Sequence, residues 1–541
     1  MSSSPSPSSS SRPLNRGAAC LPCRKLKAKC DGTKPACGRC IANHRPDDCE
    51  YATGADVTRS RLLEENIALL EARIRELENP GEAAPSVQLY DLGRQTAAAC
   101  STRTPAQDPG ISSSLYPTGM VQPVAHIPDP TPQEVQVLIQ TFMLHAYQLG
   151  FFLNASRFRH QGQTVDAGSS ALMSAVLLWG SRLSSSSTLR GREAHFVDRA
   201  TQAAAATTIP TQMGTPVHDM LCTIQAEVLL ANYFFATGRL LEGRYHCLAA
   251  VALTTASRLH QIDAGNIGND PMAAGEKILA FWTVVTVDKV WAATMNSPPS
   301  ICQFGRAAIH VTTPWPLAPE AYEQGMLVPR HGGNYSMEDF VRGAVEDSNE
   351  DFSPLALRAK AAALYDRAIY VSSQYRVDMP NRDDFLNCFN TLDSIIERFH
   401  RQLIAIRNRK PDDMRELLVS RTFACAAAIQ LHSVFSGSQP MLWKKTVCIA
   451  VSASRALDIV NINQYRHLDP VIAILWSTIC KVLMAEIGRV KQGATPVIQE
   501  DLTGVTSSLD RIMATMGILS STCPLMGTHL AEIHQARASL N

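Results

Sequence analysis

Six cysteines stand close together near the start of this 541-residue chain, and their spacing suits the binding of metal ions. They follow the pattern C-x2-C-x6-C-x6-C-x2-C-x8-C, as Cys20, Cys23, Cys30, Cys37, Cys40 and Cys49. A C-x2-C pair lets one short turn direct two sulfurs at one ion, as structural zinc sites require. Four thiolates fill one tetrahedral site and leave two over, whereas six complete two tetrahedral sites if two sulfurs bridge. The pattern therefore predicts a binuclear cluster with two Zn2+ per chain.

Three other interpretations of these cysteines stay open. A disulfide framework would need an oxidising compartment, and residues 1–5 show neither the charged nor the apolar region of a secretory signal. A four-ligand zinc module with two unused cysteines is the second alternative. His44 is a rival ligand inside the span, although its neighbours Asn43, Arg45 and Pro46 favour a solvated loop. Metal must supply much of the folding free energy, because so few apolar residues cannot form a core.

The cysteine-rich segment is strongly basic. Residues 12–45 hold nine Lys and Arg against the single acidic residue Asp31. The whole chain has 50 basic and 49 acidic residues, which leaves 41 basic and 48 acidic residues elsewhere. A basic arm on an acidic body indicates a nucleic-acid partner. The run 24–29 could also serve as a nuclear localisation signal, and either role places the protein in the nucleus.

The cysteine spacing, the run Arg24-Lys25-x-Lys27-x-Lys29 before Cys30-Asp31, and Pro35 resemble the fungal binuclear zinc cluster (Zn2Cys6) transcription factors. The resemblance covers residues 20–49 and implies that the first and fourth cysteines bridge the two zinc ions. The implied ligand sets are Cys20, Cys23, Cys30 and Cys37 for one ion, and Cys20, Cys37, Cys40 and Cys49 for the other.

The same resemblance implies that double-stranded DNA is a partner, with the first short helix in the major groove at CGG-type triplets. Lys27 stands where the family commonly contacts bases, and the preceding position, often basic in the family, is Leu26 here. The candidate DNA-binding residues are Arg24, Lys25, Lys27 and Lys29. We expect the DNA-binding domain to be residues 16–52, after a disordered Ser/Pro-rich tail of residues 1–15.

Residues 53–79 are expected to form a linker and a coiled-coil dimerisation helix. Leucine and isoleucine recur there at heptad spacing, as Leu63, Ile67, Leu70, Ile74 and Leu77. Ile at a and Leu at d positions favour a parallel dimer, and Asn79-Pro80-Gly81 ends the helix. A homodimer would present two zinc modules to two half-sites. An amphipathic helix packed on the chain's own body would show a similar stripe.

The remainder is expected to be a disordered linker, residues 80–132, and one large all-α body, residues 133–541. The predicted helices are 133–149, 171–183, 218–236, 240–259 and 278–295, four or five more in residues 354–432, and several after residue 441. In the fourth of these helices the apolar stripe is Leu241, Tyr245, Leu248, Val251 and Leu259. No uninterrupted apolar run reaches transmembrane length, so no membrane partner is expected.

Short stretches of the body are similar to the fungal-specific transcription factor middle domain, a helical regulatory domain. They are residues 242–246, 258–262 and 280–283, followed by Asp288, Trp291 and Pro298-Pro299. No catalytic motif accompanies them, and the acidic pairs at 383–384 and 412–413 are typical of helix N-termini. We therefore expect a protein that is not an enzyme.

These patterns together predict a sequence-specific, zinc-dependent transcription factor for RNA polymerase II genes, with transcriptional coregulators as further partners. The acidic run 346–352 could dock on a coactivator, but it is more typical of a solvated loop. The alternative function is a non-catalytic scaffold whose zinc module binds protein or RNA.

Overall fold

The computed structural model describes residues 19–45, 49, 51, 129–161, 171–207, 217–263, 270–301, 309–327, 336–345, 353–376, 378–406, 410–435, 439–465, 467–497 and 502–540. The chain divides into two units, Met1–Met120 and Val121–Asn541. The described part of the first unit holds two five-residue helices, α1 (Leu21–Lys25) and α2 (Gly38–Ala42). No β-strand occurs within the ranges given above, which confirms the predicted all-α body. The N-terminal cysteines pack together in the first unit, which confirms the predicted small cluster.

The second unit is built from helices α3 to α19. Their bounds are α3 (Pro132–Met143), α4 (Ala155–Gln161), α5 (Ala171–Leu183), α6 (Ser187–Arg190), α7 (Glu193–Thr207), α8 (Val217–Ala236), α9 (Leu240–Ala256), α10 (Pro271–Thr294), α11 (Pro319–Glu323), α12 (Met337–Arg342), α13 (Pro354–Gln374), α14 (Arg382–Ala405), α15 (Pro411–His432), α16 (Pro440–Arg455), α17 (Ile472–Lys491), α18 (Leu502–Leu519) and α19 (Pro524–Ala538). Short 3-10 turns lie at Ala146–Leu149, Ser433–Phe435, Ala456–Ile459 and Ile462–Gln464.

Proline and short polar side chains set many helix starts in this unit. Proline is the first residue of α3, α10, α11, α13, α15, α16 and α19, where its missing N–H is not needed and its φ is already helical. Thr131 and Glu134 form a capping box on α3, in which the Glu134 carboxylate accepts the Thr131 N–H at 2.8 Å. Asp270 caps α10 and Ser353 caps α13 through their side-chain oxygens. These local signals explain why the helices begin where they do.

The core of the second unit includes the long helices α10, α13 and α15. Almost every residue of α10 between Ala274 and Ala293 is buried, and α13 packs along α15. Residues Pro411–Phe435, which comprise α15 and the turn after it, are long and apolar enough to cross a membrane by length and composition. Because 83% of that apolar window is buried inside the protein, we interpret α15 as a core helix.

Most of the predicted helices are observed, and α5 has the predicted bounds. The first predicted helix is α3 followed by a 3-10 turn, and α10 begins at Pro271, seven residues before the predicted start at Ile278. Residues 354–432 contain three long helices of 21, 24 and 22 residues, so the expectation of four or five is wrong. No glycine or internal proline interrupts any of the three, and each apolar pattern therefore continues as one helix.

The fourth predicted helix is observed as α9, but only part of its predicted apolar stripe is buried. Val251 and Leu259 are buried, whereas the first three members are exposed. Leu241, Tyr245 and Leu248 are 77%, 63% and 41% exposed. Gly243 is buried instead, and a Cβ there would lie 2.4 Å from the ring of Phe235 in α8. Glycine lets α9 approach α8 closely, so the smallest side chain, and not the large apolar ones, marks the contact face.

The predicted coiled coil lies outside the described residues, and so does nearly all of the linker predicted after it. The acidic run 346–352 also lies outside them. The boundaries of these predicted segments stay predictions.

Candidate metal centre and nucleic-acid interface

Each C-x2-C pair lies at the start of one short helix. Cys20 is the N-cap residue of α1, and Cys37 is the N-cap residue of α2. Cys23 and Cys40 follow within the first turn, and the backbone N–H of Cys40 donates to the Cys37 sulfur at 3.4 Å. The helix starts therefore bring two sulfurs of each pair to the same side of the chain.

The six predicted zinc ligands come together as two groups of four sulfurs. The groups are Cys20, Cys23, Cys30 and Cys37, and Cys20, Cys37, Cys40 and Cys49. Within each group every sulfur lies within 4.8 Å of the others, and the Cys20 sulfur is 3.7 Å from that of Cys37 and 3.8 Å from that of Cys40. A tetrahedral ion with Zn–S bonds of about 2.3 Å needs sulfurs about 3.8 Å apart, whereas a disulfide bond is about 2.05 Å long. The residues therefore fit two zinc ions.

The sulfurs form the interior of the first unit. Cys20 and Cys37 are fully buried, and Ala36 is the one buried residue besides the cysteines in the part of this unit that the structure describes. Burial raises the pKa of Cys20, Cys23 and Cys40 to about 12. Burial also acts on Cys37, but hydrogen bonds from the backbone and side chain of Cys40 hold the pKa of Cys37 at about 6. Metal ligands must be thiolates, so zinc binding displaces protons from this interior.

Two side chains outside the predicted ligand set brace the loops between the cysteines. The Asp31 carboxylate accepts the Gly38 N–H, with distances of 3.1 Å to Oδ1 and 2.9 Å to Oδ2. This bond lowers the pKa of Asp31. The Tyr51 hydroxyl donates to the Thr33 carbonyl at 2.9 Å and lies 4.0 Å from the Cys30 sulfur. The sequence signals for these supports are an acid directly after the third cysteine and an aromatic residue two positions after the sixth.

The four candidate DNA-binding residues lie along one short stretch of the first unit. Arg24 and Lys25 belong to α1, and Lys27 and Lys29 follow it before the third cysteine. All four are exposed, and Lys27 has a left-handed backbone with φ of 48°. Leu26 lies among them and is 69% exposed. This stretch therefore presents cations around one apolar side chain to the solvent.

Comparison with known proteins finds a matching family model in each unit. The sequence model described as Fungal Zn(2)-Cys(6) binuclear cluster domain matches residues 18–56, which include both sulfur groups. The one described as Fungal specific transcription factor domain matches residues 139–307. The chain carries a fungal Zn2Cys6 cluster domain and a fungal-specific transcription factor domain. Its cluster domain accordingly binds two zinc ions through cysteine thiolates, as the sequence pattern predicted.

One relative of this Zn2Cys6 protein carries a functional name. It is a protein of Aspergillus versicolor named as a transcriptional coactivator of the notoamide biosynthesis cluster, and it is 27% identical over 350 residues. The similarity covers 59% of this chain, and the chain spans 61% of that relative's length. No solved structure matches the chain.

The rival ligand His44 and the predicted dimer seam have still to be placed. His44 is exposed and belongs to neither sulfur group. The predicted dimer seam lies outside the described residues and stays a prediction; its members are Leu63, Ile67, Leu70, Ile74 and Leu77.

In the second unit, residues that carry the middle-domain resemblance pack against one another. Arg244 of α9 donates to the fully buried Asp288 of α10 at 2.7 Å, and Asp288 also accepts the backbone N–H of Ile301 at 2.9 Å. The ring of Trp291 stacks on Phe235, with centroids 3.7 Å apart. Hydrogen-bonded pairing is what allows a charge to be buried. These residues therefore hold α8, α9 and α10 together.

The two acidic pairs considered in the sequence also have structural positions. Asp383 and Asp384 lie in the first turn of α14, and Asp412 and Asp413 lie in the first turn of α15, as predicted. Negative side chains are favoured there by the helix dipole.

Proposed function

We propose that this protein is a zinc-dependent, sequence-specific DNA-binding transcription factor that regulates RNA polymerase II genes in the nucleus. The observation that carries the proposal is the convergence of six sulfurs in two groups that share two members, next to a short cationic helix. The two matching domain families support it, and so does the relative named as a transcriptional coactivator.

Cys20 and Cys37 bridge the two zinc ions in this proposal, because they are the members common to both sulfur groups. The remaining ligand pairs are Cys23 with Cys30 and Cys40 with Cys49. Bound zinc supplies the cross-links that fold loops with no apolar core of their own. Six thiolates carry more charge than two Zn2+ ions, and the neighbouring lysines and arginines offset the excess.

The stretch from Arg24 to Lys29 is the proposed DNA-binding surface. A five-residue helix is about 7.5 Å long and fits a major groove about 12 Å wide. Lys27 would read a base edge, whereas Arg24, Lys25 and Lys29 would neutralise phosphates and make the affinity salt-dependent. Leu26 has no hydrogen-bonding group, so it would add apolar contact in the groove but no hydrogen bond to a base edge.

The protein would act as a homodimer on paired CGG-type triplets. The heptad seam from Leu63 to Leu77 supports a parallel dimer, and residues 50–59 would set the spacing of the two half-sites. The body would recruit transcriptional coregulators, and the name of the relative favours activation over repression.

A random-oligonucleotide selection with the full-length, zinc-loaded protein tests this function. The expected result is an enriched pair of triplets at fixed spacing, lost after zinc is removed with a chelator. A chain that enriches no DNA sequence but retains a protein or RNA partner through its zinc module would be the scaffold instead. A matched variant, Lys27→Ala, should lose the enrichment while keeping its zinc.

A further inference from the structure

A cavity of about 300 Å3 opens in the second unit between the 3-10 turn after α3, the start of α4, the start of α10, and α11. This volume reaches the lower end of the range of small-molecule sites in proteins. Its apolar wall includes Phe151, Phe152, Leu153, Met272 and Leu279. Its polar lining is mostly acidic, with the carboxylates of Glu276, Glu320 and Glu323 against the single guanidinium of Arg159.

The aromatic wall is held rigidly by buried amides. Gln225 of α8 accepts the N–H of Phe152 at 2.7 Å and donates to the carbonyl of Gly150 at 3.0 Å. Asn232, about two turns further along the same face of α8, donates to the carbonyl of Leu149 at 2.9 Å. Because these buried amides make three hydrogen bonds to the backbone of residues 149–152, this turn has little conformational freedom. The wall is therefore formed before any ligand arrives.

A glycine shapes the opposite side of the cavity. A Cβ on Gly275 would lie 2.4 Å from the ring of Tyr322, so only glycine lets that ring pack against α10. The Tyr322 hydroxyl accepts the backbone N–H of Leu317 at 3.0 Å, which fixes the ring in place. The floor of the cavity is thus built from a specific close approach of α10 and the segment that contains α11.

Among the residues that the structure describes, cations neutralise these carboxylates only in part. Glu276 is 4% exposed, and its Oε1 accepts the N–H of Asn154 at 2.8 Å, whereas its Oε2 is 3.7 Å from Arg157. Arg157 itself lies closer to Asp270, at 2.6 Å. Glu323 accepts from the neutral amide of Asn154 at 2.9 Å. Negative charge in excess beside an apolar wall favours a ligand that brings a positive charge.

Glu320 lies at the cavity rim and is less committed to a protein partner. It is 3.6 Å from Lys410, and the two side chains are 60% and 75% exposed. Exposed pairs of this kind contribute little and exchange readily with other ions. Glu320 can therefore exchange Lys410 for a cationic group of a ligand.

A neighbouring cavity of about 40 Å3 adds an unpaired acceptor. It shares Tyr147, Phe151, Phe152, Leu279 and Pro319 with the larger cavity. Its wall includes Gln148, which is 6% exposed and whose side-chain oxygen has no hydrogen-bond partner among the described residues. A buried acceptor without a donor is costly, and water or an N–H group would relieve that cost.

We propose that the larger cavity binds a small organic amine, with an ammonium group at the carboxylates and an aromatic or aliphatic body against Phe151 and Phe152. An ammonium offers donors and no acceptor, which matches a lining of carboxylates. Aromatic faces also attract a cation. A carboxylic acid of the same shape would meet uncompensated negative charge and is excluded.

Isothermal titration of the full-length, zinc-loaded protein with 2-phenylethylamine tests the proposal. The matched probes are 3-phenylpropanoate, which reverses the charge, and 2-phenylethanol, which removes it. Only the amine should bind with a dissociation constant below about 1 mM, which corresponds to about 4.1 kcal/mol. Glu323→Gln, at the exposed rim, should weaken amine binding by roughly tenfold, or about 1.4 kcal/mol.

Met272→Trp provides a second variant, because it fills the cavity without changing charge and should abolish binding. Glu532→Gln on α19 is the control and should bind the amine as the wild type does. Unfolding midpoints without ligand verify that each variant is folded. The proposal is overturned if the acid or the alcohol binds as tightly as the amine, if the amine does not bind, or if neither cavity variant changes its affinity.

Discussion

Replacement of Cys37 by serine should cost the protein both zinc ions, whereas replacement of Cys49 should cost it one. Cys37 belongs to both sulfur groups, and Cys49 belongs to one. Serine is nearly the same size as cysteine, but its hydroxyl does not ionise at neutral pH and is a poor zinc ligand. The two variants therefore compare a shared sulfur with an unshared one in the same unit.

The magnitude follows from the number of metal bonds that each change removes. A structural zinc site is worth about 10–16 kcal/mol in small peptides, or roughly 2.5–4 kcal/mol for each of its four bonds. Cys49→Ser removes one bond, and Cys37→Ser removes two, so the expected losses are about 2.5–4 and about 5–8 kcal/mol. The larger loss leaves both sites with three thiolates in a unit whose buried residues are otherwise almost all cysteines.

Zinc content per chain, measured by mass spectrometry after gel filtration in zinc-buffered solution, is the direct assay. The wild type should carry two ions, Cys49→Ser one and Cys37→Ser none. Cys448→Ser is the control, because Cys448 is an exposed cysteine on α16 in the other unit. This variant should retain both ions. If Cys37→Ser keeps one ion as firmly as Cys49→Ser does, Cys37 does not bridge and the ligand sets must be redrawn.

The other predictions concern DNA, assembly and pH. Lys27→Ala should weaken binding to the selected DNA site by about 1–3 kcal/mol more than binding to random DNA, whereas Lys29→Ala should weaken both alike; equal losses for Lys27→Ala in band-shift titrations would remove its base-reading role. Leu26→Lys should steepen the dependence of log affinity on log salt by about 0.9 and alter one base preference, and an unchanged slope would exclude Leu26 from the interface. Leu70→Pro should turn the dimer into a monomer in sedimentation experiments, because proline breaks the seam helix; a persistent dimer would place the interface elsewhere. Burial lowers the pKa of His467 to about 3. As the pH falls, this histidine is therefore protonated in the unfolded chain before it is protonated in the folded one. Its contribution to folding stability is complete above a pH of about 6.5 and is lost as the pH falls toward 3. In urea unfolding, wild type loses free energy of unfolding between pH values of about 6.5 and 5, and His467→Phe should remove up to about 2 kcal/mol of that loss. The same dependence on pH in both proteins would show that His467 is not the group responsible.

The metal centre could be predicted from sequence because its geometry is set by spacing along the chain. Two cysteines separated by two residues share one turn whatever surrounds them, and the structure places each pair at a helix start. The supports of that centre were harder to predict. The bond from the Gly38 N–H to Asp31 and the bond from Tyr51 to Thr33 depend on how the loops fold back, which spacing alone does not specify.

In the helical body, the positions of the helices could be predicted better than the faces that they bury. Periodicity locates α5 at its observed bounds, because one polar-flanked apolar run corresponds to one buried helix. Periodicity does not say which of two apolar faces is buried. In α9 the face with Leu241 and Tyr245 is exposed, since Gly243 lets the opposite face approach α8 more closely.

Contacts between distant segments lie beyond sequence patterns. The cavity depends on Asn154 meeting Glu276, which is 122 residues away. The completely buried Lys289 pairs with Asp366 at 3.1 Å across 77 residues. A lysine in the middle of an apolar helix would ordinarily be assigned to its exposed face. Only the tertiary arrangement supplies the partner that makes its burial tolerable.

The two units are stabilised by different physics, and this separates the ways in which they can fail. The described interior of the first unit consists of cysteine and one alanine, so its fold and the direction of its cationic stretch depend on metal. The second unit has a continuous apolar core that includes five fully buried tryptophans, Trp179, Trp282, Trp291, Trp315 and Trp476. Burial of such side chains stabilises that unit without any ion. Zinc supply should therefore act on the proposed DNA binding through the first unit alone, whereas heat and cavity ligands should act mainly on the second. Low pH should act on both units, because protons compete with zinc for the cysteine thiolates.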